Sequence, residues 1–166
     1  MVCKVFIGEV PKLNEFIIIT KVKQLDIYDL TQLVDESTSE GFRHLKRLVG
    51  DYEAGTNKFD MAGEALFLAI KHGEIVGVCG LNQGLHANSS KVGRVRRLYV
   101  SPNARRFGVG RMLMNSVIAE ARNHYQMLVL KTDNPVADLF YRSIGFLDKA
   151  DSEIDTHFLE LSSLKK

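Results

Sequence analysis

Two hydrophobic periods divide the chain. Runs of β-branched and apolar residues mark strands: Glu15–Val22 (EFIIITKV), Ala65–Lys71 (ALFLAIK), Ile75–Leu81 (IVGVCGL) and Val92–Val100. The residues His72-Gly73 between the second and third runs predict a tight hairpin. Met127–Leu130 (MLVL) is apolar without alternation, as a strand covered on both faces should be. Phe146–Lys149 and Thr156–Leu161 predict the last two strands. Helical spacing appears at Ile27, Leu30, Leu33 and Val34, where Asp26 is the expected cap, and at Phe42, Leu45, Leu48 and Val49. Glu36–Gly41 breaks the first pattern, and the polar stretch Gly50–Gly63 follows the second as a loop. A central helix is predicted over Arg106–Arg122, with Val109, Met112/Leu113, Ser116/Val117 and Glu120/Ala121 along one stripe. A short helix opens at Pro135, is capped by Asn134, runs to about Ser143 and is stopped by Gly145. This order, mixing hairpins with helical crossovers, predicts an α/β domain with a mixed sheet covered by helices.

Composition narrows the picture. The 166 residues suit one domain over 15–166, preceded at 1–14 by an arm or an extra strand. A net charge of +2 gives no case for nucleic acid or a membrane surface as partner. Cys3 and Cys79, the only cysteines, have no metal-ligand spacing, and the five histidines are scattered, so no metal is expected. The N-terminus is broken by Lys4 and Glu9 and is no signal peptide, and no apolar run reaches spanning length, so a cytoplasmic protein is expected.

Candidate chemistry concentrates in Leu98–Arg111, LYVSPNARRFGVGR. A strand end runs through a Ser101–Pro102–Asn103 turn into a Gly-rich turn and a helix start. That sequence of elements brings free backbone N–H groups and a positive helix end to one point, and glycines let an anion approach the backbone. With Arg105, Arg106 and Arg111 it points to a phosphate or pyrophosphate. A Walker loop is excluded, because Arg111-Met112 follows Gly110. A dinucleotide fingerprint is excluded, because Leu113 stands where its third glycine belongs.

Arg105-Arg106-Phe107-Gly108-Val109-Gly110 resembles the acetyl-CoA pyrophosphate loop of the GNAT superfamily of N-acetyltransferases. The preceding Leu98-Tyr99-Val100-Ser101-Pro102 and the downstream Asn134, Ala137, Tyr141, Gly145 and Phe146 fit the same family in order and spacing. The resemblance implies a GNAT-like fold: a mostly antiparallel sheet splayed between the fourth and fifth core strands, flanked by helices. It implies acetyl-CoA as cosubstrate. The pantetheine arm would lie along Leu98, Tyr99 and Val100, and the pyrophosphate on Arg105, Arg106, Phe107, Gly108, Val109, Gly110 and Arg111, with Asn134 and Tyr141 completing the cofactor site. Tyr141 would protonate the departing thiolate, a role that needs a well-placed phenol.

The acetyl acceptor is then expected to be an amine, most simply a small molecule. A protein N-terminus or lysine, and a non-catalytic acyl-CoA sensor, are the alternatives. Many family members carry a Glu early on the strand ending in Leu98-Tyr99-Val100; here Arg94 stands there, and arginine cannot serve as a base. Asn82, Gln83, His86, Glu64 and Asp133 remain open as substitutes. Strand parity puts Arg94 and Arg96 on one face and Arg97 on the other, and Arg94 in the acceptor groove would favour an anionic acceptor. The acceptor pocket is expected from Glu36–Gly41, Gly50–Gly63 and Gly84–Ser90. The resemblance also allows a homodimer, in which an exposed terminal strand such as Thr156–Leu161 could pair with its counterpart.

Overall fold

The computed structural model describes residues 16–85, 89–149 and 152–161. The arm or strand expected at 1–14, Cys3 and His86 lie outside them. Strand β1 (Ile17–Lys21) is followed by helices α1 (Thr31–Ser39) and α2 (His44–Ala54), then by β2 (Ala65–Lys71), β3 (Glu74–Gln83) and β4 (Val92–Val100). Helix α3 (Val109–Arg122), β5 (Met127–Leu130), α4 (Pro135–Ile144), β6 (Leu147–Asp148) and β7 (His157–Glu160) complete the order. Among the described residues the seven strands form one sheet, β1-β2-β3-β4-β5-β7-β6, antiparallel throughout except for β4 and β5.

Both faces of the sheet are covered, which is why β2 reads as an unbroken apolar run. Ala65, Phe67 and Ala69 join the core under α3, while Leu66 and Leu68 join the core under α1 and α2. Helix α3 contributes Val109, Leu113, Val117 and Ala121 at the predicted spacing, with Met114 and Ile118 beside them. Leu33, Leu45 and Leu48 seal the other face, each nearly free of solvent. Every such leucine contributes about 1.5–3 kcal/mol on burial.

Local chemistry moved several boundaries. Helix α1 starts at Thr31, with the Asp29 carboxylate accepting the Thr31 N–H at 2.9 Å; Asp26 precedes it, beside a short 3-10 turn over Leu25–Ile27. Glu36–Ser39 is helical, contrary to expectation. The hydroxyls of Ser37, Thr38 and Ser39 donate to carbonyls of Val34 and Asp35, so these residues are satisfied inside the helix. Likewise α2 runs through Gly50 to Ala54 and stops at Gly55, whose φ of 76° ends it. Helix α3 begins at Val109 rather than Arg106, because Arg106 (φ 68°) and Gly108 (φ 78°) are left-handed. Strand β7 lies between β5 and β6, and β6 pairs with it at His157 and Phe158.

The consequential irregularity is in β4. Val78 opposes Tyr99 and Gly80 opposes Arg96, so Cys79 faces both Arg97 and Leu98. This is a β-bulge, with Arg97 at φ 64°. It overturns simple parity. Arg97 turns to Asp51 of α2, the same side of the sheet as Arg96, instead of the opposite one.

Candidate active site

Strand β4 pairs with β5 over three positions only, Val92–Arg94 against Met127–Val129. Beyond Arg94, β4 continues to Val100 while β5 ends at Leu130, and the strands part. Backbone groups along the β5 side of β4 therefore face an opening instead of a neighbouring strand. Leu98 and Val100 turn their side chains to the α3 core, and Tyr99 turns to the α1–α2 core.

The opening leads to the start of α3. The first intrahelical bond runs from Met112 N–H to Gly108 O, 2.9 Å, so the N–H groups of Val109, Gly110 and Arg111 precede the helical ladder. Nothing lies within 4 Å of a Cβ built on Gly108, whereas one on Gly110 would meet the Phe140 ring at 3.2 Å. The two glycines thus do different work: Gly108 supplies a left-handed turn facing open space, and Gly110 lets α4 close on α3. Arg106 and Phe107 are exposed, with the Lys71 ammonium over the Phe107 ring at 5.0 Å. Arg111 donates to Ser143 Oγ at 3.1 Å, a second tie between α3 and α4.

Arg105 is occupied. Its guanidinium forks onto Glu40 at 2.6 and 2.8 Å, its Nε donates to Val100 O at 3.0 Å, and it lies over the Tyr99 ring. The Tyr99 hydroxyl donates to the same Glu40 carboxylate. Burial first, and then Glu40, push the Tyr99 phenol up, while Arg105 above all holds Glu40 below the usual carboxylate range.

Asn134 caps α4, its Oδ1 accepting the N–H of Val136 at 2.9 Å. Tyr141, two turns on, is 8% exposed, with Phe140 and Phe146 edge-on at 5.3 and 5.6 Å. Burial pushes its phenol well above the ordinary value, so it stays protonated. A clasp fixes the helix: His157 on β7 bonds Asp138 at 2.7 Å, and Arg142 bonds both Asp138 and Asp148. The two carboxylates of that cluster already share a guanidinium.

Residues 27–146 match the acetyltransferase (GNAT) family. The chain belongs to that family. No curated protein matches it. Among solved structures, a protein from Exiguobacterium sp. 255-15 assigned as an acetyltransferase is 30% identical, covering 87% of this chain and 93% of its own, with a TM-score of 0.77. A GNAT-family acetyltransferase from Staphylococcus aureus Mu50 is 20% identical over 88% of this chain and 99% of its own, TM-score 0.63. A Salmonella typhimurium protein assigned as an acetyltransferase, whose structure holds its cofactor acetyl-CoA, is 18% identical over 88% of this chain and 94% of its own, TM-score 0.63.

The α1–α2 side of this GNAT domain carries a polar cluster where β2, β3 and β4 meet. Asn82 stands opposite Arg94 across the strands, exchanges two 3.0 Å bonds with Asn57, and donates to Glu64. Arg94 faces Asp155, Nε to Oδ1 3.6 Å, and Arg97 bonds Asp51 at 3.3 Å. Of the substitutes for the strand Glu, Glu64 and Asn82 reach this cluster, Gln83 and Asp133 are exposed, and His86 lies outside the described residues. Sequence reading placed Glu40 and Asp51 in the segments expected to form the acceptor pocket but not against arginines, and it missed Asp155. Each is an ordinary surface-type acid until the fold puts an arginine against it, and no spacing signal marks any of them.

Proposed function

We propose that this GNAT domain transfers the acetyl group of acetyl-CoA directly to a small-molecule amine in a ternary complex. The parting of β4 from β5 after Arg94, directly ahead of the α3 N-terminus, is the observation that carries the reading. The pantetheine arm lies along Leu98–Val100, where backbone groups lack a strand partner on the β5 side. The pyrophosphate lies against Arg106–Arg111, where N–H groups, the helix dipole and two arginines converge. Arg105 contributes by holding this loop to α1 through Glu40. The acetyl-CoA in the Salmonella structure of like fold supports the assignment.

The chemistry follows. The amine nitrogen attacks the thioester carbonyl carbon, the C–S bond breaks, and the thiolate takes a proton from Tyr141. The proton lost by the amine goes to Glu64, directly or through water. Backbone N–H groups of the opened β4 edge stabilise the developing oxyanion. Cys79 is no covalent carrier: it is fully buried, and burial drives its thiol far above the ordinary range.

Arg94 in place of the strand Glu favours a second reading, an acyl-CoA-binding module without turnover. Calorimetric titration with acetyl-CoA tests both readings, and thiol release with an amine panel separates them. Micromolar binding with release supports the enzyme, binding without release supports the module, and absence of binding rejects both.

A further inference from the structure

Resting on the acetyl-transfer reading above, we infer that the acceptor is an amino acid or similar small molecule bearing both an amine and a carboxylate, and that Arg96 binds the carboxylate.

The cluster on the α1–α2 side of β4 holds three arginines, brought to one side by the bulge at Arg97. Two are answered. Arg94 and Lys149 face Asp155, at 3.6 and 3.9 Å, and Arg97 bonds Asp51 at 3.3 Å. Arg96 is partly buried and makes no hydrogen bond or ion pair among the described residues. Burial and then the Arg94 charge act against its ionised form, and Asp51 and Glu64 act for it. The buried nitrogen without a hydrogen-bond partner in this cluster is Nε of Arg94, whereas the nitrogens of half-buried Arg96 keep access to solvent, so the Arg96 fork is open to a ligand oxygen.

Glu64 is the other group left over. Its carboxylate takes a bond from Asn82, and no cation bonds it among the described residues. Within the cluster on β2, β3 and β4, after the internal pairs are set aside, the Arg96 guanidinium and the Glu64 carboxylate remain on the same side of the sheet. That pair is complementary to a zwitterion. The substrate carboxylate meets the Arg96 fork, and its amine meets Glu64 next to the thioester. One unanswered guanidinium matches a single negative charge, which favours a carboxylate over a doubly charged phosphate monoester.

The experiment is a thiol-release assay with acetyl-CoA. It uses the twenty L-amino acids, each beside its decarboxylated amine and its carboxamide, with phosphoethanolamine as the phosphate arm. The wild type is compared with Arg96→Ala and Arg96→Lys. One or a few amino acids are expected to be acetylated at least 10-fold better than their analogues. Arg96→Ala should raise KM for that amino acid roughly 10- to 100-fold, the size expected for a charge-assisted hydrogen bond. The preference over the decarboxylated amine should collapse with it, and Arg96→Lys should restore part of it. Acetyl-CoA titration of each variant confirms that it is folded and that the cosubstrate site is intact. Equal or better turnover of the decarboxylated amine, preference for phosphoethanolamine, or no amino acid acetylated by an enzyme that binds acetyl-CoA overturns this inference and leaves the cofactor site standing. Failure to bind acetyl-CoA overturns both.

Discussion

Arg105 and Glu40 are joined by two hydrogen bonds, 2.6 and 2.8 Å long, that tie the loop ahead of α3 to the end of α1. The residues are 65 positions apart in the chain. The pair fixes the floor of the proposed pyrophosphate site to the helix layer that covers the acceptor side. Glu40→Ala is expected to weaken acetyl-CoA binding by about twofold to fivefold, because a partly exposed pair is worth up to ~1 kcal/mol. Calorimetry checks it. An unchanged affinity would mean that the loop holds its shape without the pair.

Gly108 separates two costs. Any side chain there pays for the left-handed backbone, about 1–2 kcal/mol, and the space beyond is open. Gly108→Ala and Gly108→Glu should both melt about 2–8 °C below wild type. Gly108→Glu alone also sets a negative charge against the pyrophosphate, so it should lose acetyl-CoA binding while Gly108→Ala retains much of it. Equal affinities for the two variants would move the pyrophosphate away from this turn.

Tyr141→Phe should keep the core, since the ring makes the contacts with Phe140 and Phe146. Turnover should fall about 100-fold with acetyl-CoA affinity retained, the scale of a lost general acid. Glu64→Gln tests the other proton. It should lower turnover most near neutral pH and recover as pH rises and the amine deprotonates unaided. A Glu64→Gln profile parallel to wild type would assign the base elsewhere.

His44 predicts a pH dependence of stability. Its ring lies edge-on to Phe42 and Tyr99, and Nε2 is buried without a partner. Burial above all, with the Arg97 charge adding to it, lowers its pKa below the ordinary imidazole value of about 6.5. The unfolded chain therefore binds this proton more readily than the folded one. The neutral ring's contribution is fully present above pH 6.5 and is lost as pH falls through the depressed folded pKa. Melting temperature should drop between pH 7 and 5, and His44→Phe should flatten that slope. A slope equal to wild type in His44→Phe would assign it to other groups.

Much of this was legible beforehand, for local reasons. Asn134 before Pro135 caps a helix by its own chemistry, and the observed cap bond is the predicted one. The hairpin at His72-Gly73 forms because both residues take the left-handed backbone its turn requires. The α3 stripe at Val109, Leu113, Val117 and Ala121 is a period of the sequence and faces the core as predicted. Boundary errors arose where side chains bonded locally in ways composition does not reveal, as with the three hydroxyls that keep the end of α1 helical.

The sequence alone determined the order of elements, the family and the turn ahead of α3, because each is written within a few neighbouring residues. Tertiary structure decided the acceptor side. One extra residue in β4 opposite Cys79 reversed the direction of Arg97 and set three arginines on one side of the sheet. Which of them is answered depends on Asp51 and Asp155, brought from 46 residues before Arg97 and from beyond β5. A side chain's partner across such distances is a property of the packed sheet and helices, and no local period encodes it.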